Sequence, residues 1–363
     1  MKKLGFGCMR LPMIGNEVDL KQFSQMIDEY MSEGFCYFDT AHSYIEGKSE
    51  LAIRECLVPR YDRESYWLVD KLTDCFFNKE EDIRPLFEEQ LECTGVDYFD
   101  IYLMHAQNRD VYKHFLKCNA YETAKALKDE GKIRHLGLSF HDKAEVLEKI
   151  LSEQPEIEYV QIQFNYADYL SDSVDSKNVY EVARKFNKKI LIMEPVKGGK
   201  LVNLPNRAKE IFDELGNGSY ASYAIRYAAS FDGVEMVLSG MSNTEQIRDN
   251  ISFMKDFVPL KDYEYSAIEK VQKIISDMEG IDCTACRYCV AGCPKNILIP
   301  DLFACYNAKV QFKDNNSDRD YKEVYTKDNA KASECIKCGK CEKACPQHLE
   351  IRKLLEKVAA EFE

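Results

Sequence analysis

No run of apolar residues in this chain approaches the ~20 that a membrane-spanning helix needs. The opening stretch Met1-Lys-Lys-Leu-Gly-Phe-Gly-Cys8 lacks the apolar core of a secretory signal. We therefore expect a cytoplasmic protein with no membrane partner. Positive charge is in deficit: 49 Lys and Arg stand against 62 Asp and Glu, and the formal charge of -13 is spread along the chain, so nucleic acid is not an expected partner either. No G-x-G-x-x-G dinucleotide fingerprint opens the chain, where Gly5-Phe-Gly7 is too short for one. No segment is low in complexity. Cysteine, by contrast, is abundant at fifteen residues, yet disulfides need an oxidising compartment and usually a small domain. Cys8, Cys36, Cys56, Cys75, Cys93, Cys118 and Cys305 stand singly and read as small core hydrophobes. The other eight form two runs of the same spacing.

Short β-branched or aromatic runs recur at 3–8, 35–39, 66–71, 99–104, 134–139, 159–164, 189–194 and 234–239. Each is short enough for a strand buried on both faces. Between them the apolar period lengthens. In 18–33, for example, Leu20, Phe23, Met26, Ile27, Tyr30 and Met31 fall three to four residues apart, which predicts an amphipathic helix. Further helices are expected near 49–57, 79–93, 120–130, 143–152, 174–186, 220–229 and 244–255. Eight strand–helix units in this length predict an α/β fold, a TIM (β/α)8 barrel over 1–258. A helical linker (262–278) and a small, mainly helical cysteine-rich domain are expected over 259–363, with 314–320 as an exposed loop.

Barrel enzymes carry their chemistry at the C-terminal ends of the strands. There the chain places Phe38-Asp-Thr-Ala-His-Ser-Tyr44, Val69-Asp-Lys71 and Tyr102-Leu-Met-His105. An acid, a phenol, an amine and an imidazole from three adjacent strands make a proton-transfer device. Asp39 holds Lys71, the ammonium lowers the pKa of Tyr44, the phenol donates a proton to a carbonyl oxygen, and His105 orients that oxygen. At these residues, and at Gly5-Phe-Gly-Cys-Met-Arg-Leu-Pro12, the chain resembles the aldo-keto reductase family from Leu4 to about Asn250.

The resemblance implies hydride transfer from NADP(H) or NAD(H) and a small-molecule substrate. It also implies a cofactor site lined by Gly7, Met9, Arg10, Ser139, Gln161, Met193, Lys197, Gly240, Gln246 and Asn250. Three positions depart from the family, the first being Phe140, where an Asn usually follows Ser139. Met193 stands where an aromatic usually stacks on the nicotinamide. Gln246 stands where many relatives have an Arg for the 2′-phosphate, although Arg248, Lys197 and Lys200 are candidate substitutes. Phe76, Phe77, Asn108 and Tyr166 are candidate pocket residues.

Cys283-Thr-Ala-Cys-Arg-Tyr-Cys-Val-Ala-Gly-Cys-Pro294 and Cys335-Ile-Lys-Cys-Gly-Lys-Cys-Glu-Lys-Ala-Cys-Pro346 both have the ligand spacing of bacterial [4Fe–4S] ferredoxins, in which the fourth Cys serves the other cluster. That resemblance assigns Cys283, Cys286, Cys289 and Cys345 to one [4Fe–4S] cluster and Cys335, Cys338, Cys341 and Cys293 to a second. Two four-cysteine zinc sites are the alternative, but zinc has no use for the third and fourth cysteines of each run. A nicotinamide moves two electrons as a hydride and a cluster moves one, so a flavin is a candidate intermediary. The expected function is carbonyl reduction, or its reverse, with electrons exchanged through the clusters. The alternative is an electron-transfer protein that serves a redox partner without carbonyl chemistry.

Overall fold

The computed structural model describes residues 1–171, 174–216, 218–277, 280–312 and 317–363, with the backbone alone at 311 and 312. All eight expected runs are strands: β1 (Leu4–Gly7), β2 (Tyr37–Asp39), β3 (Trp67–Leu72), β4 (Phe99–Gln107), β5 (Ile133–Phe140), β6 (Tyr159–Gln163), β7 (Lys189–Met193) and β8 (Val234–Ser239). They pair in parallel and close as β1-β8-β7-β6-β5-β4-β3-β2, a (β/α)8 barrel. Tyr37, Val69, Ile101, Leu103, Tyr159, Leu191, Met236 and Leu238 pack together as an inner core of strand residues. Room in that core is tight. A Cβ on Gly137 of β5 would lie 2.6 Å from Leu103 Cδ2 and 2.7 Å from the Tyr159 carbonyl, so only glycine passes there.

The outer helices bury one face each. In the helix Leu20–Ser32, Asp19 caps the N-terminus through the amide of Gln22, and Phe23, Met26, Ile27 and Tyr30 face the strands. The Tyr30 hydroxyl lies 2.6 Å from the Leu4 carbonyl and 3.0 Å from that of Tyr37, which ties this helix to β1 and β2. Three elements were not anticipated from the sequence: a hairpin of Met13–Ile14 with Glu17–Val18 and the helices Arg109–Lys117 and Asn206–Asp213. For the first of these helices a signal was present. Asn108 is its N-cap and accepts from the amides of Asp110 and Val111.

The helix Asp262–Ser276 corrects the expected boundary at 258. Ala267, Ile268 and Val271 sit in the barrel's core, the Arg226–Glu264 ion pair is nearly buried, and Gln272 donates to the Tyr166 carbonyl at 2.5 Å. Beyond it a second core joins Leu302, Phe303 and Cys305 of the helix Ile299–Phe312 to Ile351, Leu355, Val358 and Phe362 of the helix Ile351–Phe362. In the segment expected as a loop, residues 314–316 lie outside the described residues and Ser317–Arg319 is helical. Among the described residues no helix is long and apolar enough to cross a membrane.

Candidate active site

Four strand ends meet at one cavity. Its volume is about 750 Å3, and Asp39, Tyr44, His105, Ser139 and Gln161 are in its lining. Lys71 is fully buried beneath it, donating to Asp39 Oδ1 at 2.7 Å and to the Thr40 carbonyl at 2.5 Å. The other Asp39 oxygen accepts from Gln161 Nε2 at 2.9 Å. Lys71 Nζ sits 4.8 Å from the centroid of the Tyr44 ring. His105 Nδ1 pairs with Thr73 Oγ1 at 2.6 Å.

Backbone strain marks the same rim. Ile45 and Glu46, just after Tyr44, have φ of 52° and 57°; Ala106, just after His105, has 49°; and Glu194, just after Met193, has 56°. L-residues rarely adopt that region, and a β-branched one least of all. The turn after each strand is thus held against its local preference by the surrounding structure.

The electrostatics differ from the sequence expectation at one residue. Tyr44 is pushed well above the usual phenol range, because burial dominates and the carboxylates of Asp39 and Asp70 add to it. Lys71 spends its hydrogen bonds on Asp39 and Thr40, and the lowering expected of it is outweighed by desolvation. The phenol is therefore a firmly protonated donor. Burial and the Lys71 charge hold His105 neutral.

A second buried acid pair lies behind Lys71. Glu50 and Asp70 are both fully buried; Glu50 Oε2 bonds His42 Nδ1 at 2.8 Å, and Asp70 Oδ1 accepts from Gln90 Nε2 at 3.1 Å. Their remaining oxygens, Glu50 Oε1 and Asp70 Oδ2, have no donor among the described residues, and the two carboxyls lie close enough to act on each other, an arrangement that one shared proton would satisfy. Desolvation raises both, Glu50 to about 7. Sequence reasoning missed this pair.

Most expected cofactor residues line the cavity: Gly7, Met9, Arg10, Ser139, Gln161, Met193, Gly240, Gln246 and Asn250. Ser139 Oγ accepts from the Ala106 amide at 2.7 Å, and Asn250 donates to Ser239 Oγ at 2.7 Å. Arg10 donates to the carbonyls of Gly198 and Thr284, which leave its charge unneutralised. Lys197 is a correction: it is buried against Asp168, outside the cavity lining. The proposed substitutes are also engaged elsewhere, Lys200 with the Ile281 carbonyl and Arg248 in a two-pronged pair with Glu29. Phe76, Phe77, Asn108 and Tyr166 are absent from the lining; Phe77 and Tyr166 are core, and Asn108 caps a helix.

The cysteines gather as the spacing assigned them. Cys283, Cys286, Cys289 and Cys345 surround one small cavity, and Cys293, Cys335, Cys338 and Cys341 surround another. None of the fifteen cysteines is in a disulfide. Among the described residues no three of His, Cys, Asp or Glu converge closely enough to hold a single metal ion. Burial raises the thiols, Cys286 and Cys341 to about 11, so cluster assembly must displace protons from them.

Sequence reasoning also missed how the two halves meet. Cys286, Tyr288 and Pro346 of the cysteine-rich region belong to the lining of the barrel's cavity, with His141 and Glu194. Gln347 donates to Glu194 at 3.1 Å.

Over residues 3–273 the chain matches the Aldo/keto reductase family, and it belongs to that family; residues 282–349 match the 4Fe-4S dicluster domain. It is an oxidoreductase of the aldo-keto reductase type with a C-terminal dicluster domain. One similar protein is 4-dihydromethyl-trisporate dehydrogenase of Mucor mucedo, 34% identical over 106 residues that cover 28% of this chain and 30% of that one. Another is the uncharacterized oxidoreductase YqkF of Bacillus subtilis, 24% identical over 69% of this chain and 86% of that one. Among solved structures, the holo form of an aldo-keto reductase from Bacillus halodurans superposes with a TM-score of 0.62 at 23% identity, covering 74% of this chain and 91% of that one. An aldo-keto reductase of Klebsiella pneumoniae in complex with NADPH gives 0.61 at 16% identity, covering 74% and 90%. These likenesses establish the barrel fold.

Proposed function

We propose that the enzyme reduces the carbonyl of a small molecule, or runs the reverse reaction, and that its clusters exchange electrons with the same cavity. The observation that carries this reading is the shared wall: Asp39, Tyr44 and His105 of the tetrad, with Lys71 bonded to Asp39 beneath them, and the expected cluster ligand Cys286 border one space. A bound reduced nicotinamide supplies a hydride, and each cluster changes by one electron. Tyr44 gives the carbonyl oxygen its proton. Lys71, fixed by Asp39, places a positive charge under the ring of Tyr44 and so stabilises negative charge left on the phenol. In the tautomer in which Nδ1 accepts from Thr73, neutral His105 keeps a proton on Nε2 for a hydrogen bond to the substrate oxygen.

The nucleotide best suited to the cavity is a dinucleotide without a 2′-phosphate. Asp213, Glu245 and Asp249 line the far end, where a ribose diol is a better partner than a phosphate dianion, and the nearby cation Arg248 is committed to Glu29. A mononucleotide flavin would leave that end without an occupant. A protein partner would meet the second cysteine set, of which Cys338 is exposed.

The test is an anaerobic visible absorption spectrum of the holoprotein, titrated with NADH and then NADPH. Bleaching of the cluster band by NADH at lower concentration than by NADPH supports both parts. A band that neither nucleotide moves refutes electron exchange through the cavity. Cluster turnover with a one-electron acceptor, but none with any carbonyl compound, selects the electron-transfer reading.

A further inference from the structure

The wall of the catalytic cavity is built from two parts of the chain, and the residues contributed by the cysteine-rich part include a polar group with no assigned role. Tyr288 opens the short helix Tyr288–Ala291 inside the first cysteine run. The residue before it, Arg287, lies in the left-handed region at φ 67°, and its guanidinium grips both oxygens of Asp301 at 3.0 and 2.9 Å. On the other side of the loop the Thr284 carbonyl accepts from Arg10 of the barrel at 3.0 Å. Thr284 also meets Gly198, where a Cβ would come within 2.5 Å of that carbonyl. Both ends of the loop are thus anchored.

Tyr288 lines the same cavity as Tyr44 and His105 and is near enough for Tyr44, Lys71 and Glu194 to act on it electrostatically. Among the described residues its hydroxyl makes no hydrogen bond to the protein. In the tetrad, by contrast, Lys71 is bonded to Asp39 and Thr40, Asp39 to Gln161, and His105 to Thr73. A second acceptor also borders the cavity. His141 gives its Nδ1 hydrogen to Gln163 Oε1 at 3.2 Å, and burial holds the ring neutral, which leaves Nε2 as an acceptor.

Resting on the carbonyl-reductase reading, we propose that Tyr288 is a substrate-binding residue that the cluster domain supplies to the barrel's active site. Its hydroxyl hydrogen-bonds a second oxygen of the substrate, so the enzyme selects carbonyl compounds that bear a hydroxyl or another oxygen function near the reacting carbon. A cavity that positions such a donor discriminates against analogues lacking the oxygen, because the donor is then left dry and unpaired. The iron–sulfur domain therefore shapes substrate choice as well as carrying clusters.

The test uses two ketones of nearly equal shape, hydroxyacetone and butanone, which differ by a hydroxyl in place of a methyl. Their dissociation constants are measured by ligand-observed NMR on the holoprotein saturated with NAD+, a complex with no hydride to give to either carbonyl. Wild type should bind hydroxyacetone at least ~10-fold more tightly than butanone. Tyr288→Phe, with an unchanged cluster absorption band, should abolish that difference and leave butanone affinity within about twofold. Equal binding of the two ketones by wild type overturns the proposal, and so does a Tyr288→Phe variant that weakens both alike, since the ring would then be wall alone. Selective binding without NADH-dependent turnover of either ketone would instead sink the carbonyl-reductase reading and leave the subsite standing.

Discussion

The barrel and the cysteine-rich domain solve the problem of burying a chain in opposite ways. The barrel closes eight parallel strands around an inner core of Tyr, Val, Ile, Leu and Met and wraps them in helices, so its stability comes from apolar area removed from water. The smaller domain has a modest core around Phe303, Leu355 and Phe362, and its two cysteine-lined cavities interrupt that core. Small units of this kind rely on bound metal for part of their folding free energy. The lesson is a division of labour: the half with the large apolar core holds the tetrad, and the half with the small, interrupted core contributes Cys286, Tyr288 and Pro346 to the cavity wall.

The sharpest way to break the comparison is to remove iron. Anaerobic chelation, or Cys345→Ser, should abolish the ordered fold of the C-terminal domain while the barrel keeps a cooperative thermal transition. Circular dichroism with limited proteolysis would read this as a protected fragment ending near residue 277. Loss of both halves together would mean that the barrel leans on its partner. The converse experiment acts on chemistry alone. Tyr44→Phe should lower turnover at least ~100-fold by removing the proton donor, with the cluster band and its bleaching by nucleotide unchanged. Near-normal turnover would rule out this phenol as the acid.

The Glu50–Asp70 pair offers a test confined to the barrel. Both carboxyls hold a proton more tightly in the fold than in the unfolded chain, where Glu50 would titrate near 4.5 rather than about 7. The stability this confers is complete below about pH 4.5 and is lost as the pH rises through about 7. On the order of 3 kcal/mol should disappear across that window, and Glu50→Gln should flatten the dependence, measured by urea denaturation at several pH values. A flat profile in wild type would show that the two acids do not share a proton. The smallest expected effect lies at the seam. Gly198→Ala would set a Cβ 2.5 Å from the Thr284 carbonyl at a residue with φ of 63°, and should cost about 1–3 kcal/mol. If the seam couples the halves, nucleotide affinity falls as well; if only the melting temperature moves, the contact is structural.

Much of this was legible in the sequence, and the residues show why. Asp39, Lys71 and His105 each sit at or near the end of a run whose length and composition announce a strand, and Tyr44 follows Asp39 in the turn after it, so strand order carries all four to one end of the barrel. The two cysteine runs prescribe their partners through spacing, because a compact loop supplies three thiolates to one cluster and cannot bend the fourth to it. The helix Asp262–Ser276 was misassigned because its amphipathic pattern shows that one face is buried but not against what. Lys197 was misplaced for a related reason: a lysine beside two glycines reads as a phosphate ligand until Asp168, 29 residues earlier, is found beside it.

The sequence by itself determined the eight strand–helix units and raised the tetrad and the pairing of the cysteines as expectations, because these follow from local periodicity and short-range spacing. The tertiary structure alone decided that burial raises Tyr44, Glu50 and Asp70, and that Tyr288 and Cys286 face the catalytic cavity. Desolvation and contact between distant segments depend on what surrounds a group in space, and no window of neighbouring residues contains that information.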